Sequence, residues 1–275
     1  MQRAGGGYKT IQCLFSCTFG AFRNSEFKII SKDEAISILQ DSGKVFIKPS
    51  IGTSSGRGCF VAEFHNGVDV ISNSSAINIL NTLGNNFVVQ ESIVCHSSIT
   101  NLYNGAVNTF RVITYRWKEE IVVMPVIMRI GRGGNYLDNA HAGGMFIAID
   151  NDGTLHEKAF TEFKQEFTKH PDSGVMFKGY KIENFKAVLS AARTAHELIP
   201  QLGSINWDFT IDENGTPVLI EANVIGGSIW LIQMAHGKSV FGERTKDVLK
   251  WLHFIKKIPK SKRTPYLFGV MPEVK

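Results

Sequence analysis

Hydrophobic and polar positions along this chain change period several times, and each change predicts an element. Ser31-Lys32-Asp33-Glu34 has the spacing of a helix capping box, and Ala35, Ile36, Ile38 and Leu39 follow at helical spacing. A short helix to about Asp41 is expected, broken by Ser42-Gly43. Val45-Phe46-Ile47 then reads as a strand and Cys59-Phe60-Val61-Ala62 as its return, with a glycine-rich loop between. A helix over 74–83 leads to a strand over 87–94 that closes this first group. Farther on, 107–116, 120–129 and 145–150 alternate or run apolar with β-branched residues, as a largely antiparallel sheet requires. Ile182, Phe185, Val188, Leu189, Ala192 and Ala195 form the stripe of a long helix stopped by Pro200. Segments 205–211 and 217–222 flank Asp212-Glu213-Asn214-Gly215, a hairpin signal, and 240–255 reads as a final helix.

Composition narrows the class. With 275 residues, 43% hydrophobic and 20% charged, the chain can bury one large core or two smaller ones. No apolar run approaches the roughly 20 residues needed to span a bilayer, and the N-terminal stretch, with Gly5-Gly6-Gly7, does not read as a signal peptide. A soluble, cytoplasmic protein is expected. Cys13, Cys17, Cys59 and Cys95 are scattered without a second pair to complete a zinc site, so they are read as thiols in a reducing compartment. The net charge of +5 is dispersed except at Lys256-Lys257 and 260–263. That cluster is a solvated surface unless a nucleic acid or membrane meets it.

Two places carry candidate chemistry. In Leu219-Ile220-Glu221-Ala222-Asn223 the two-residue period of a strand puts Glu221 and Asn223 on one face, where a carboxylate and an amide can hold a hard cation. Across the hairpin, Ile205-Asn206-Trp207-Asp208 supplies a second carboxylate. Far upstream, Lys48 ends a strand and precedes a loop containing Gly52, Ser54, Ser55, Gly56 and Gly58, whose glycines let backbone N–H groups approach phosphate oxygens. Because the lysine precedes the loop and the return element is a strand, this is not a Walker P-loop.

The order of these pieces resembles the ATP-grasp superfamily, and more closely its sugar-transfer-associated branch, linked to bacterial surface polysaccharide synthesis. The resemblance covers about residues 25–255. It rests on Lys48-Pro49-Ser50, Asn108-Thr109-Phe110-Arg111-Val112-Ile113-Thr114, Tyr136-Leu137-Asp138-Asn139 before Gly143-Gly144, and Glu221-Ala222-Asn223 before Gly226-Gly227. It implies an α+β ATP-grasp fold of two subdomains clasping ATP. Residues 1–30 are then the remnant of a Rossmann-like pre-domain that is missing or vestigial, 31–92 the small lid subdomain, and 93–275 the large one.

The resemblance also implies roles. Lys48 and the loop would bind phosphates, Gln90, Glu91, Ser92 and Ile93 would line the adenine and ribose, and Glu91 is the ribose candidate. Arg111 and Arg129 would stabilise the transferred phosphoryl group and the acyl phosphate, Asn139 would touch phosphate or substrate, and Asp208, Glu221 and Asn223 would hold Mg2+. His141 is read either as a base or as a solvated loop residue. The implied reaction is ligation of a carboxylate to an amine through an acyl phosphate, with sugar-linked substrates suggested by family context. Phosphorylation of a different acceptor, and a non-catalytic nucleotide-binding module partnering a glycosyltransferase, remain the rival readings. A partner protein completing the acceptor site, and a homo-oligomer, are left open.

Overall fold

The computed structural model describes residues 3–4, 7–52, 56–225 and 227–272. Arg3–Ala4 (β1) and Tyr8–Thr10 (β2) come first. Cys13–Thr18 (β3), Ala21–Asn24 (β4) and Ile29–Ile30 (β5) precede the helix Lys32–Gln40 (α1). Lys44–Pro49 (β6), Phe60–His65 (β7), Val68–Asp69 (β8) and Ser74–Ser75 (β9) are followed by the helix Ala76–Thr82 (α2) and Phe87–Glu91 (β10). The chain divides into two compact units, one of residues 10–94 and one of residues 3–9 with 95–272.

The first unit is a sheet in the order β5-β4-β3-β10-β6-β7-β8-β9. Alternate residues of three neighbouring strands, Phe15 and Cys17, Val45 and Ile47, Phe87 and Val89, point to one side. There they pack with Ala35 and Leu39 of α1 and Ile79 and Leu80 of α2. The capping box forms as its spacing demands: the Ser31 hydroxyl accepts from the Glu34 amide at 3.1 Å and Glu34 Oε2 accepts from the Ser31 amide at 2.7 Å. Two expectations change. Residues 13–30, set apart from the lid subdomain in the sequence reading, supply β3, β4 and β5 of this sheet. As a result β10 does not close the group; it lies inside the sheet between β3 and β6, with both edges paired.

In the second unit come the single turn Ser97–Thr100 (α3), then Thr109–Trp117 (β11), Glu120–Val123 (β12), Val126–Ile130 (β13), Met145–Ile149 (β14), Leu155–Phe160 (β15) and Glu166–Phe167 (β16). The helix Phe185–Glu197 (α4), the hairpin Ser204–Ile211 (β17) and Pro217–Asn223 (β18), and the helices Ile229–His236 (α5) and Thr245–Lys257 (α6) complete it. The main sheet runs β1-β2-β18-β17-β11-β13-β14-β15-β16, with β12 paired to β11 off this path. The described ladders are antiparallel. The run 120–129, expected as one strand, is two, because Pro125 lacks the N–H a ladder needs. One face is covered by α4, where Phe185 meets Phe110 with ring centroids 5.1 Å apart. On the other, Leu231, Ile232 and Ala235 of α5 pack on Ile127, Phe146 and Ala148. That second helix has apolar residues all round and no helical stripe, so pattern reading missed it.

Candidate functional site

In the first unit the register of β6 with β10 decides what Lys48 shares a face with. Lys48 pairs with Val88 and Phe46 with Gln90, so these four point away from the side covered by the helices. Lys48 is half-buried and makes no ion pair among the described residues. Gln90 Oε1 is buried with no hydrogen-bond partner among the described residues, an acceptor left for a donor from outside. Glu91 does not join them. It pairs with Val45 and so turns toward the helix-covered face, an odd number of residues from Val88. Its amide donates to Gln12 O at 3.1 Å, and the Ser92 amide donates to Lys44 O at 3.2 Å; Ile93 is half-buried just beyond. Gly52, Gly56 and Gly58 all have φ between 74° and 78°, the left-handed region that an L side chain resists. At Gly58 a Cβ would also meet the Pro49 ring at 3.0 Å. Ser54 and Ser55 lie outside the described residues, as does Gly226.

In the second unit four adjacent strands present polar side chains on one face. Arg111 pairs with Asp208, Asp208 with Glu221, Asn206 with Asn223, and Thr109 with Arg129. Cross-strand partners share a face, so β18, β17, β11 and β13 bring all of them together. The hub is Arg129, which is 8% exposed. Its Nε and Nη2 donate to Thr109 Oγ1 at 2.9 and 2.6 Å, and its Nη1 to Asn139 Oδ1 at 3.0 Å. Its Nη2 also lies 3.1 Å from Asp208 Oδ2. Arg111 grips the same carboxylate with both prongs, Nε to Oδ1 at 2.6 Å and Nη2 to Oδ2 at 3.0 Å.

Beneath them Asp138, 6% exposed, accepts from the Thr109 amide at 2.9 Å and from its hydroxyl at 2.5 Å, and lies 3.5 Å from Arg129 Nε. Burial alone would lower the pKa of Arg129; the carboxylates of Asp138, Asp208 and Glu221 outweigh it and hold the guanidinium charged. The glycine-rich loop after β13 is fastened by polar groups as well. Gly131 N donates to Asn108 Oδ1 at 3.0 Å, Tyr103 Oη to Asn135 O at 2.8 Å, and the buried His170 Nε2 bonds Gly131 O at 2.9 Å. A Cβ at Gly144 would strike Asp138 O at 2.4 Å, so only glycine lets this loop fold back on itself.

Asp208, Glu221 and Asn223 therefore do share a face, as the hairpin signal predicts, but in different states. Glu221 is exposed and half-buried Asn223 follows it; neither side chain has a bonded partner among the described residues. The set is all oxygen donors, which suits a hard cation. Asp208, with its side chain 4% exposed, already has both oxygens on guanidinium groups. Its remaining lone pairs are what it could offer. His141 sits apart, 64% exposed at the side chain, with Nδ1 2.6 Å from Glu162 Oε2. Thr109, Asp138, Asn108 and His170 had no roles assigned from sequence. The first three stand inside motifs that sequence reading singled out, whereas nothing in the local pattern marks His170.

A family model described as sugar-transfer associated ATP-grasp matches residues 13–250. No curated protein matches the chain. Among solved structures, an L-amino acid ligase from Bacillus licheniformis is 15% identical with a TM-score of 0.41, over 84% of this chain and 39% of that one. N5-carboxyaminoimidazole synthetase from Staphylococcus aureus, complexed with ADP, is 12% identical with a TM-score of 0.44, over 81% and 42%. D-alanyl-alanine synthetase A from Vibrio cholerae is 14% identical with a TM-score of 0.45, over 79% and 55%. The chain thus spans between two fifths and just over half the length of these proteins.

Proposed function

The chain belongs to the sugar-transfer associated ATP-grasp family, and from that membership we propose that it is an ATP-dependent carboxylate–amine ligase acting in the modification of a surface polysaccharide or peptide. The observation that carries the reading is the polar face of β18, β17, β11 and β13, where two anchored arginines stand beside an unpaired carboxylate and amide. A site that stabilises phosphoryl transfer needs fixed positive charge where charge accumulates, and fixed dipoles need no reorganisation during reaction.

In this reading Lys48 and the amides around Gly52, Gly56 and Gly58 hold the phosphates of ATP. Gln90 Oε1 accepts from the amine of the base, and the backbone of 91–93 completes that end. The Glu91 side chain is left out, since its strand position turns it from Lys48. Glu221 and Asn223, joined by Asp208, are the residues that would hold Mg2+, which supplies charge neutralisation at the phosphate oxygens when bound. Arg129 and Arg111 steady the γ-phosphoryl group as a carboxylate oxygen of the substrate attacks phosphorus and ADP departs. An amine then attacks the carbonyl carbon of the acyl phosphate, phosphate leaves, and the amine proton passes to solvent. Asn139, held by Arg129 Nη1, borders the same charges and is assigned to the substrate side.

The test is a product analysis with ATP, Mg2+, and panels of carboxylates and amines, sugar-linked ones included. ADP and phosphate formed only when both partners are present, with an amide recovered, is the expected result. A stable phosphorylated product from one acceptor alone would instead make the protein a phosphotransferase.

A further inference from the structure

The net positive charge of this protein is matched by one stretch, α6 and the segment that follows it. Residues 245–263 carry seven lysines and arginines against one aspartate, while the whole chain is only +5, so the remainder is close to neutral. At 100° per residue, Lys246, Leu249, Lys250, His253, Lys256 and Lys257 of α6 occupy an arc of about 120°. All six are exposed. Val248 and Ile255 are buried on the opposite side, flanked by half-buried Trp251 and Leu252. Asp247 falls outside the cationic arc by the same geometry.

Among the described residues no carboxylate is ion-paired with a lysine of this face. The lysine ion pairs among the described residues are at Lys9, Lys28, Lys158, Lys178 and Lys181, none of them on α6. Exposed Lys260 and Lys262 continue the charge past the helix, and Arg263 Nε donates to Ile258 O at 2.8 Å, folding the following segment back against the helix end. Within the arc stands Leu249, 56% exposed, at helical spacing from Lys246, His253 and Lys256.

We propose that this face of α6 docks the protein on an anionic lipid bilayer, lying flat with the lysines at the headgroups and Leu249 entering the interface. Four features favour a bilayer over a nucleic acid. The charges are lysines on long flexible stems, suited to a diffuse negative surface; arginine forks, which recognise individual phosphates, are absent from the arc. No Phe, Tyr or Trp stands among them to stack a base. The single apolar residue of the arc has a use at a lipid interface and none on a phosphate backbone. The face is also continuous along the helix, with Leu249 its one hydrophobic residue and the buried Val248 and Ile255 on the opposite side. Association would be peripheral, since no described helix is long and apolar enough to cross a membrane.

The experiment is sedimentation of the full 275-residue chain with vesicles. Phosphatidylcholine vesicles containing about 30% phosphatidylglycerol should bind it at low salt, pure phosphatidylcholine should not, and binding should fade at about 0.5 M NaCl as screening shortens the range of the charges. Replacing Lys246, Lys250, Lys256 and Lys257 together by Glu should weaken binding at least about tenfold, with circular dichroism unchanged. Replacing the same four by Arg should preserve it, and Leu249→Ser should give a smaller loss. Binding to neutral vesicles equal to that on anionic ones, indifference to the four-Glu change, or tighter binding to a short DNA duplex than to anionic vesicles would each overturn the proposal. None of these readouts uses ATP turnover, so they stand or fall apart from the ligase reading.

Discussion

Lys48 in the first unit and Arg129 in the second are both cations on interior strands, but they are built differently. Arg129 is buried and committed: Asp208, Asp138, Thr109 and Asn139 take up its guanidinium. Lys48 is half-buried, has no ion pair among the described residues, and adjoins left-handed glycines and an unsatisfied Gln90 oxygen. One region brings its counter-charges with it and is rigid before any ligand arrives. The other has a cation and left-handed glycine backbone with no ion-pair partner for the cation among the described residues. A site that is satisfied internally links function to stability, whereas one left unsatisfied keeps them separate.

The largest test of that contrast is Asp208→Ala. Removing a carboxylate that three guanidinium nitrogens approach within 3.1 Å takes from Arg111 its bidentate partner and leaves the buried Arg129 with Asp138 as its one close carboxylate among the described residues, and should cost about 3–5 kcal/mol as well as abolishing turnover. All four tryptophans, Trp117, Trp207, Trp230 and Trp251, belong to the second unit, so urea unfolding followed by tryptophan fluorescence reads this loss directly. Glu221→Ala is the companion: turnover should vanish while the urea midpoint holds, because Glu221 is exposed and unbonded. Equal destabilisation by the two variants would erase the distinction between anchor and free ligand.

Lys48→Met is next. Losing one preorganised phosphate donor should reduce ATP-dependent turnover by roughly 10²–10³. Stability should scarcely change, since no carboxylate is orphaned. Fluorescence cannot see the first unit, so amide exchange across β6 and β10 is the measurement. A variant that keeps full turnover, or one that loses protection in those strands, would contradict the account of Lys48 as an uncommitted cation.

Acid separates the two units in a different way. His196 is fully buried, and burial, aided by the charge of Arg116, holds its pKa below the ordinary value. Its Nε2 donates to Leu202 O at 2.9 Å and its Nδ1 accepts from Thr114 Oγ1 at 2.7 Å, the neutral tautomer. The unfolded chain therefore binds more protons below about pH 6.5, and the stability His196 contributes is complete above that pH and lost on descending toward its folded pKa. His236 in the same unit is displaced in the same direction, again chiefly by burial. In the first unit, burial would raise Asp69, but the Ser72 hydroxyl and the amides of Glu63, Ser72 and Ile71 outweigh it and bring its pKa down. That contribution is present above about pH 3.9 and lost only below it. Lowering the pH from 7.5 to 5 should thus reduce the urea midpoint seen by tryptophan, with amide protection at Glu63, Ile71 and Ser72 intact until below about pH 4. Simultaneous loss of both signals would mean that the units do not titrate separately.

What could be read in advance follows the range of the forces involved. The capping box, the hairpin 205–223 and the stripe of α4 are set by neighbours within a few residues, and each appears as its spacing predicts. Glu221 and Asn223 share a face because a strand alternates, and Asp208 joins them because the turn fixes the register. The pairing of Arg111 with Asp208 required the register of β11 against β17, strands nearly a hundred residues apart, and no local pattern encodes that. The same holds for Glu91, whose face depends on β6, and for His170, whose purpose appears only when Gly131 lies against it. Residues 13–24 were passed over because their alternation is weak and interrupted by Gly20, and only sheet pairing with β10 gives them a place.

The smallest expected effect bears on the part that was easiest to read. Ser31→Ala removes the hydroxyl that satisfies the Glu34 amide and leaves the capping box with one half, the residue 31 amide that donates to the Glu34 carboxylate, whose pKa the Ser31 amide and hydroxyl hold down. A lost N-cap of this kind costs about 1 kcal/mol. Because α1 packs Ala35 and Leu39 into the first unit's core, the cost should appear as faster amide exchange through α1 and the strands beneath it. Tryptophan fluorescence should not register it, and neither should the Asp208–Arg129 network, which lies wholly in the other unit. Ser31→Asp restores an N-cap acceptor and should recover protection. If Ser31→Ala instead shifted the tryptophan-monitored midpoint by as much as the exchange-derived loss, the two units would be unfolding as one, and the contrast between a committed and an uncommitted cation would have to be explained without separate stabilities.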